Sequence, residues 1–253
     1  MTAVADPVLV ADDGPIRTVR MNRAEKKNAL TVPMYEAMGA AIEGAAATAA
    51  IRCIVIAGAP GAFCAGNDLQ DFLAASASAE GLAPPLIGFL HTLARAETPL
   101  VAAVCGLAVG IGTTMLLHCD HAVASSDARF STPFVHLGLV PEAASSLLGP
   151  RRMGHARAFA LLAMGRPLDA EGALAAGLVN SVVAPAEVEA EAMRAAREIA
   201  ALPVEALAAT RALLRGPPDE AVRRIDEEAA EFKRRLASPE ARAAFEAFLA
   251  RKK

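Results

Sequence analysis

The sequence predicts an α/β fold, with a core of alternating strands and helices followed by a wholly helical C-terminal section. Three observations lead there. The apolar runs CIVIAG (53–58) and LVAAV (100–104) have the length and content of fully buried strands. Segments of helical periodicity separate them, and strands alternating with helices mean an α/β core. From Pro185 onward every segment reads as helix, broken at Pro203, Gly216-Pro217-Pro218 and Ser238-Pro239. The chain therefore divides into a core, residues 1–185, and a helical section, residues 186–253, suited to a cap or to oligomerisation.

The elements follow in order. VLVADDGPIRTVRMN alternates like a hairpin about the turn Asp12-Asp13-Gly14-Pro15. TVPMYEAMGAAIEGAAA is a helix with Thr31 near its start. CIVIAG is a strand that ends in the loop GAPGAFCAGNDL. The Ala-, Ser-, Gly- and Pro-rich run from Ala74 to Pro85 reads as a surface loop. LIGFLHTLARAE is helical and Pro99 stops it. LVAAV then leads into a glycine turn that opens a buried helix. DHAVAS and RFS are short strands, while PEAASSLL, HARAFALLAMG and DAEGALAA are helical, the last with Gly177 as its C-terminal cap. LVNSVV is the final strand. In the last section Val222, Ile225, Ala229, Phe232 and Leu236 form one apolar helix face, and Asp219–Arg223 and Glu231–Arg235 are spaced to pair on the other. That apolar face fits either the chain's own core or a partner subunit.

Composition excludes several function classes. A chain of 253 residues can bury about 70–75% of its unfolded surface, so it needs no disulfide or metal staple. A net charge of −3, one Tyr, no Trp and no basic stripe argue against nucleic-acid binding. Cys53, Cys64, Cys105 and Cys119 form no C-x-x-C pair and suit reduced thiols. No signal-peptide layout opens the chain, and a cytoplasmic location is expected. PLVAAVCGLAVGIGTTMLL (99–117) is uncharged over the length of a membrane span. Pro99, the glycines at 106, 110 and 112 and the lack of flanking basic anchors favour a strand and a turn instead, so no membrane insertion is expected.

Two segments, CIVIAGAPGAFCAGNDLQDF and LVAAVCGLAVGIGTTMLL, share one design of apolar strand, glycine-bearing turn and helix start. Glycine permits positive φ and close backbone approach, and a helix start leaves N–H groups unpaired. Two such turns face to face would offer two N–H donors to one oxygen, as an oxyanion hole does. Neither turn matches a dinucleotide fingerprint or a P-loop, and no serine elbow is present. HCDH (118–121) matches no standard metal-ligand spacing, so no metal is expected. Arg23, Lys26 and Lys27 in NRAEKKNAL could neutralise a phosphorylated ligand, or form a solvated loop. Glu142 is the single formal charge in STPFVHLGLVPEAASSLLGP (131–150). It reads either as a first-turn residue favoured by the helix dipole or as a base kept from water and from competing charges.

NRAEKKNAL, GAFCAGNDL, GLAVGIG with CDHAVAS, ARFSTPFVHLGLVPEAASS and DAEGALAAGLVNSVV follow one another along nearly the whole chain. In this order they resemble the enoyl-CoA hydratase/isomerase (crotonase) superfamily, and within it the peroxisomal-type Δ3,Δ2-enoyl-CoA isomerases. The resemblance implies a crotonase/ClpP-like spiral of ββα units with C-terminal helices, assembled as a homotrimer or a dimer of trimers. It implies an acyl-CoA substrate, no separate cofactor, and a thioester enolate held by the backbone N–H groups of Asn67 and Ile111, whose side chains are then free to vary. Family CoA contacts map onto Lys27, Ala29, Ala65, Asp68, Leu69 and Gly110.

The departures from the family pattern select the reaction. Two-carboxylate hydratases carry glutamates where this chain has Thr114 and Phe134, neither of which can ionise. Glu142 stands where the isomerases have their glutamate. The resemblance thus implies Δ3-to-Δ2 isomerisation with Glu142 moving a proton from C2 to C4. Hydration, dienoyl-CoA isomerisation and a non-catalytic CoA-binding member are the alternatives.

Overall fold

A computed structural model describes residues 6–68 and 83–250, with side chains through residue 247. The run from Ala74 lies outside it up to residue 82. The hairpin forms as expected from β1 (Val8–Asp13) and β2 (Ile16–Met21), which pair antiparallel. Beyond it β2, β3 (Cys53–Gly58), β4 (Leu100–Val104), β6 (His121–Ser125) and β9 (Ser181–Val183) run parallel, in the order β1-β2-β3-β4-β6-β9. A smaller sheet joins β5 (Leu107–Val109), β7 (Arg129–Ser131) and β8 (Leu168–Asp169).

The apolar runs are continuous because both sheet faces are covered. Ile54 and Ile56 of β3, with Leu100, Ala102 and Val104 of β4, face the cluster that includes α1 (Val32–Ala46) and α2 (Pro84–Arg95). The alternate residues Cys53, Val55, Ala57, Val101 and Ala103 face Val188, Ala192, Ala196 and Ala200, most of one face of α7 (Val188–Ala200). Small residues at this second interface let helix and sheet approach closely.

The strands β2, β3, β4 and β6 are each followed by a short extended segment beyond the large sheet. Leu30 bridges Asn67, Cys64 bridges Ala108, and β5 pairs with β7, all parallel. A repeat of strand, extended segment and helix thus recurs although no period shows in the residues. β5 and β8 are the strands that sequence reading misses, being too short for a pattern. The helix that β5 leads into is brief, α3 (Ile111–Thr114), and continues as a 3-10 turn to His118.

Two helices differ from expectation. PEAASSLL becomes helical only at α4 (Ser145–Met153), because Ala143 and Ala144 take positive φ, 62° and 53°. HARAFALLAMG forms α5 (His155–Ala158) and widens to a π-helix over Phe159–Ala163. After α6 (Ala170–Ala175), Gly177 adopts φ 71° at the expected cap. The C-terminal section holds α7, α8 (Val204–Arg215), α9 (Pro218–Leu236) and α10 (Pro239–Ala250). The apolar face of α9 packs on this chain's own α2 and α4. Glu231 meets Arg235 at 3.4 Å, whereas no ion pair joins Asp219 and Arg223 among the described residues. Ala196→Leu is expected to overpack the α7–sheet interface and cost about 1–3 kcal/mol, read from the urea unfolding midpoint.

Candidate active site

The site grows from the first loop. Lys27 and Asn28 both adopt left-handed backbone, φ 51° and 55°. Buried Asn28 holds that shape: its Oδ1 accepts the Arg23 N–H at 2.9 Å, and its amide donates to the carbonyls of Ala59 (3.0 Å) and Ala62 (2.7 Å). The Ala65 N–H donates to the Lys27 carbonyl at 2.9 Å, so the first loop and the GAFCAGND loop move as one. Sequence reading missed Asn28. The only sequence signal was the residue type, since asparagine tolerates left-handed backbone better than most residues.

Arg23 is committed to structure rather than to a ligand's phosphate. Its guanidinium donates to the Ala29 carbonyl at 2.7 Å and to Asp68 Oδ2 at 3.0 Å. Lys26 and Lys27 remain exposed. Lys27, Ala29, Ala65 and Asp68 are therefore brought together, while Leu69 lies outside the described residues.

The two glycine turns meet. Cys64 pairs with Ala108, and Val109 N–H donates to the Cys64 carbonyl at 2.8 Å. Three residues further on in each segment come Asn67 and Ile111. A Cβ on Gly110 would stand 4.0 Å from Gly66 Cα, and one on Gly66 would stand 3.1 Å from the Val109 carbonyl oxygen. The turns need glycine at both places, where φ is 90° (Gly66) and 55° (Gly110).

Among the described residues no hydrogen bond takes either backbone donor. Leu30 donates to Gly66 O and accepts from Asp68 N, each at 2.8 Å, which turns the intervening Asn67 N–H away from it. Ile111 opens α3, so its N–H has no acceptor one turn earlier. The Asn67 side chain, which the backbone role leaves free to vary, is engaged here: its Oδ1 accepts the Tyr35 hydroxyl.

Glu142 precedes α4 by three residues and does not belong to its first turn. It is 2% exposed, and neither carboxyl oxygen has a hydrogen-bond partner among the described residues. Burial, then the negative Glu228, push its pKa from an ordinary 4.5 up to about 8. The Asn67 amide is near enough to favour the charge but not placed for a hydrogen bond. The expectation of a base free of competing charges is thus corrected. Glu228, from α9, is 7% exposed, and burial raises its own pKa to about 7.

Other titratable groups are silent. His118 Nε2 faces the Ala143 carbonyl at 2.8 Å, so Nε2 carries the proton, and burial lowers its pKa to about 4. Asp120 bonds Arg211 and the Leu100 N–H. HCDH thus serves the fold. Burial pushes the Cys64 thiol up to about 12, which leaves it protonated and inert. Thr114 donates to the Gly110 carbonyl at 3.3 Å, and the Phe134 ring lies 3.9 Å from a Cβ built on Gly110, so apolar and hydroxyl groups line this side.

The shifted carboxyl has a stability consequence. Glu142 holds its proton more tightly in the fold than in the unfolded chain, so its contribution falls as pH rises from about 4.5 to about 8. Glu142→Gln lacks that loss. Calorimetry is expected to show it melting above the parent at pH 9, with the gap shrinking towards pH 5.

Comparison with known proteins agrees with this architecture. The family model described as Enoyl-CoA hydratase/isomerase matches residues 12–253. Enoyl-CoA delta isomerase 2 of Rattus norvegicus is 37% identical over 87% of this chain, which spans only 57% of that protein's length. A probable enoyl-CoA hydratase of Rhizobium meliloti is 35% identical over 79% of this chain and 78% of its own. The crystal structure of an enoyl-CoA hydratase/isomerase from Pseudoalteromonas atlantica superposes with a TM-score of 0.92 at 39% identity, covering 97% of this chain and 98% of that one. With its parallel sheet, paired glycine turns and C-terminal helices, the chain belongs to the enoyl-CoA hydratase/isomerase family and has the crotonase fold.

Proposed function

We propose that the protein converts a 3-enoyl-CoA to the 2-enoyl isomer. The observation that supports this reading is a buried carboxyl without a hydrogen-bond partner on either oxygen among the described residues, Glu142, held near the Asn67 turn. The thioester oxygen accepts from Asn67 N–H and Ile111 N–H, which stabilises the charge that develops when C2 loses a proton. Ionised Glu142 takes that proton from C2 and delivers it to C4, and the double bond moves as the enolate collapses. Base and acid are the same group, so a proton affinity near working pH serves both steps. Coenzyme A enters as part of the substrate, against Lys27, Ala29, Ala65, Asp68, Leu69 and Gly110, with no separate cofactor. The working assembly is a homotrimer or a dimer of trimers, with the section from 186 as its cap.

Hydration is the second reading. The Rhizobium relative carries that name, and Glu228 is a second buried carboxyl beside Glu142. One Glu228 oxygen is committed to the Ser146 N–H at 2.9 Å, which leaves less of it to hold a water.

Purified protein is to be assayed side by side on a 3-enoyl-CoA and a 2-enoyl-CoA. Isomerisation of the first with little water addition to the second is expected; strong hydration would reverse the assignment. Glu142→Gln is expected to lower kcat by at least about a hundredfold, the scale of a lost acid–base group, and survival within a few-fold would remove it as the base. Because the ionised carboxyl is the base, kcat/KM should rise about tenfold per pH unit below about 8 and level off above.

Gly112→Ala probes the donor geometry. Its Cβ would stand 2.7 Å from the Cys64 carbonyl oxygen and must displace the segment leading to Asn67. A loss of roughly a hundredfold in kcat/KM is expected, in line with the sensitivity of catalysis to ångström displacements.

A further inference from the structure

The turn carrying Glu142 is strained. Ala143 and Ala144 are consecutive left-handed residues, and neither is glycine. Such backbone is sterically disfavoured for an L-residue and needs fixed partners to persist. Two are visible. His118 donates from Nε2 to the Ala143 carbonyl at 2.8 Å. From the other side Glu228 Oε1 accepts the Ser146 N–H at 2.9 Å, capping α4 directly after the turn. A neutral side chain could make that cap. A carboxylate here, 7% exposed and with Oε2 lacking any hydrogen-bond partner among the described residues, is a costly choice.

We propose that Glu228 is a positioning residue for Glu142: it pins the left-handed turn through the Ser146 N–H and places a second carboxyl beside the reacting one. The inference rests on Glu142 being the base. Two buried carboxyls this close resist ionising together, so the charge on Glu228 strengthens the proton affinity of Glu142.

The surrounding groups leave this coupling in place. On α9, Arg224 bonds Glu227 at 2.9 Å and the Ser146 hydroxyl at 3.1 Å, while Asp226 meets His91 of α2 at 2.8 Å. On α4, Arg151 pairs with Glu220, and Arg152 donates to the carbonyls of Leu116, Leu117 and Cys119. From α10, Glu240 stands 3.7 Å from Arg235. His118 is neutral and Cys64 keeps its proton. Of these cations Arg224 acts on Glu228, by favouring its charge.

The test is the pH profile of kcat/KM on a 3-enoyl-CoA for the parent, Glu228→Gln and Glu228→Asp. The glutamine keeps an acceptor for the Ser146 N–H but removes the charge, so the acid limb should move to lower pH by about one unit. The aspartate keeps the charge but shortens the reach, so its limb should stay while kcat falls several-fold. A limb that stays put in folded Glu228→Gln makes Glu228 only a helix cap and overturns the proposal. Glu142→Gln on the same assay separates the two readings. If it is inactive and the Glu228→Gln limb is unmoved, the base stands and only this inference falls; if it is active, both fall. Should Glu228→Gln not fold, carboxyl 13C NMR of the unsubstituted protein decides. Two displaced, mutually dependent titrations support the proposal, and a Glu142 signal indifferent to Glu228 overturns it.

Discussion

The parallel pairing of β3 with β4, Ile54 opposite Leu100 through Ala57 opposite Ala103, is the constraint from which the site follows. Parallel strands deliver their C-terminal ends to the same edge of the sheet, where open α/β sheets bind ligands. Both glycine turns therefore leave from one edge. The second pairing, Cys64 with Ala108, carries this register outward until Asn67 and Ile111 occupy equivalent places. In antiparallel strands the same turns would lie at opposite ends of the sheet. The meeting of the two turns is thus a consequence of strand direction, and it sets no requirement for polar side chains at 67 and 111.

The acid arrives by a different route. No regular element presents Glu142. Two left-handed alanines hold it out of α4, and burial, strain and an unmatched carboxyl all oppose the fold. Large apolar clusters on both sheet faces offset that cost. A solvated glutamate would be more stable and a weaker base near neutral pH. The site therefore concentrates its instability in one turn, between His118 and Glu228, and leaves the sheet regular.

Membership of the family leaves the choice between isomerisation and hydration open. Relatives named isomerase and hydratase resemble this chain about equally, at 37% and 35% identity. Under the proposed reading the distinction lies in which carboxyls can reach the acyl group. Thr114 and Phe134 cannot ionise, whereas Glu142 is a buried carboxyl.

Much of this was legible in the residues. The buried strands, the hairpin, the helical C-terminal section and the two glycine turns follow from local composition and period, because burial on both sheet faces leaves no polar alternation and a close turn needs glycine. Glu142 stood out as the one charge in its segment. Other features depended on contacts between distant segments. Asn28 locks two loops through carbonyls more than thirty residues away. The left-handed pair at Ala143–Ala144 contradicts alanine's own preference and exists only because neighbours hold it. Glu228 lies far from Glu142 in sequence, in a helix whose repeated charges disguise one buried carboxylate among solvated ones. Sequence alone determined the buried strands, the hairpin, the glycine turns and the helical C-terminal section, because local composition and period decide these. Tertiary structure decided the electrostatics, because the proton affinity of a carboxyl depends on which charge and how much water the fold places beside it.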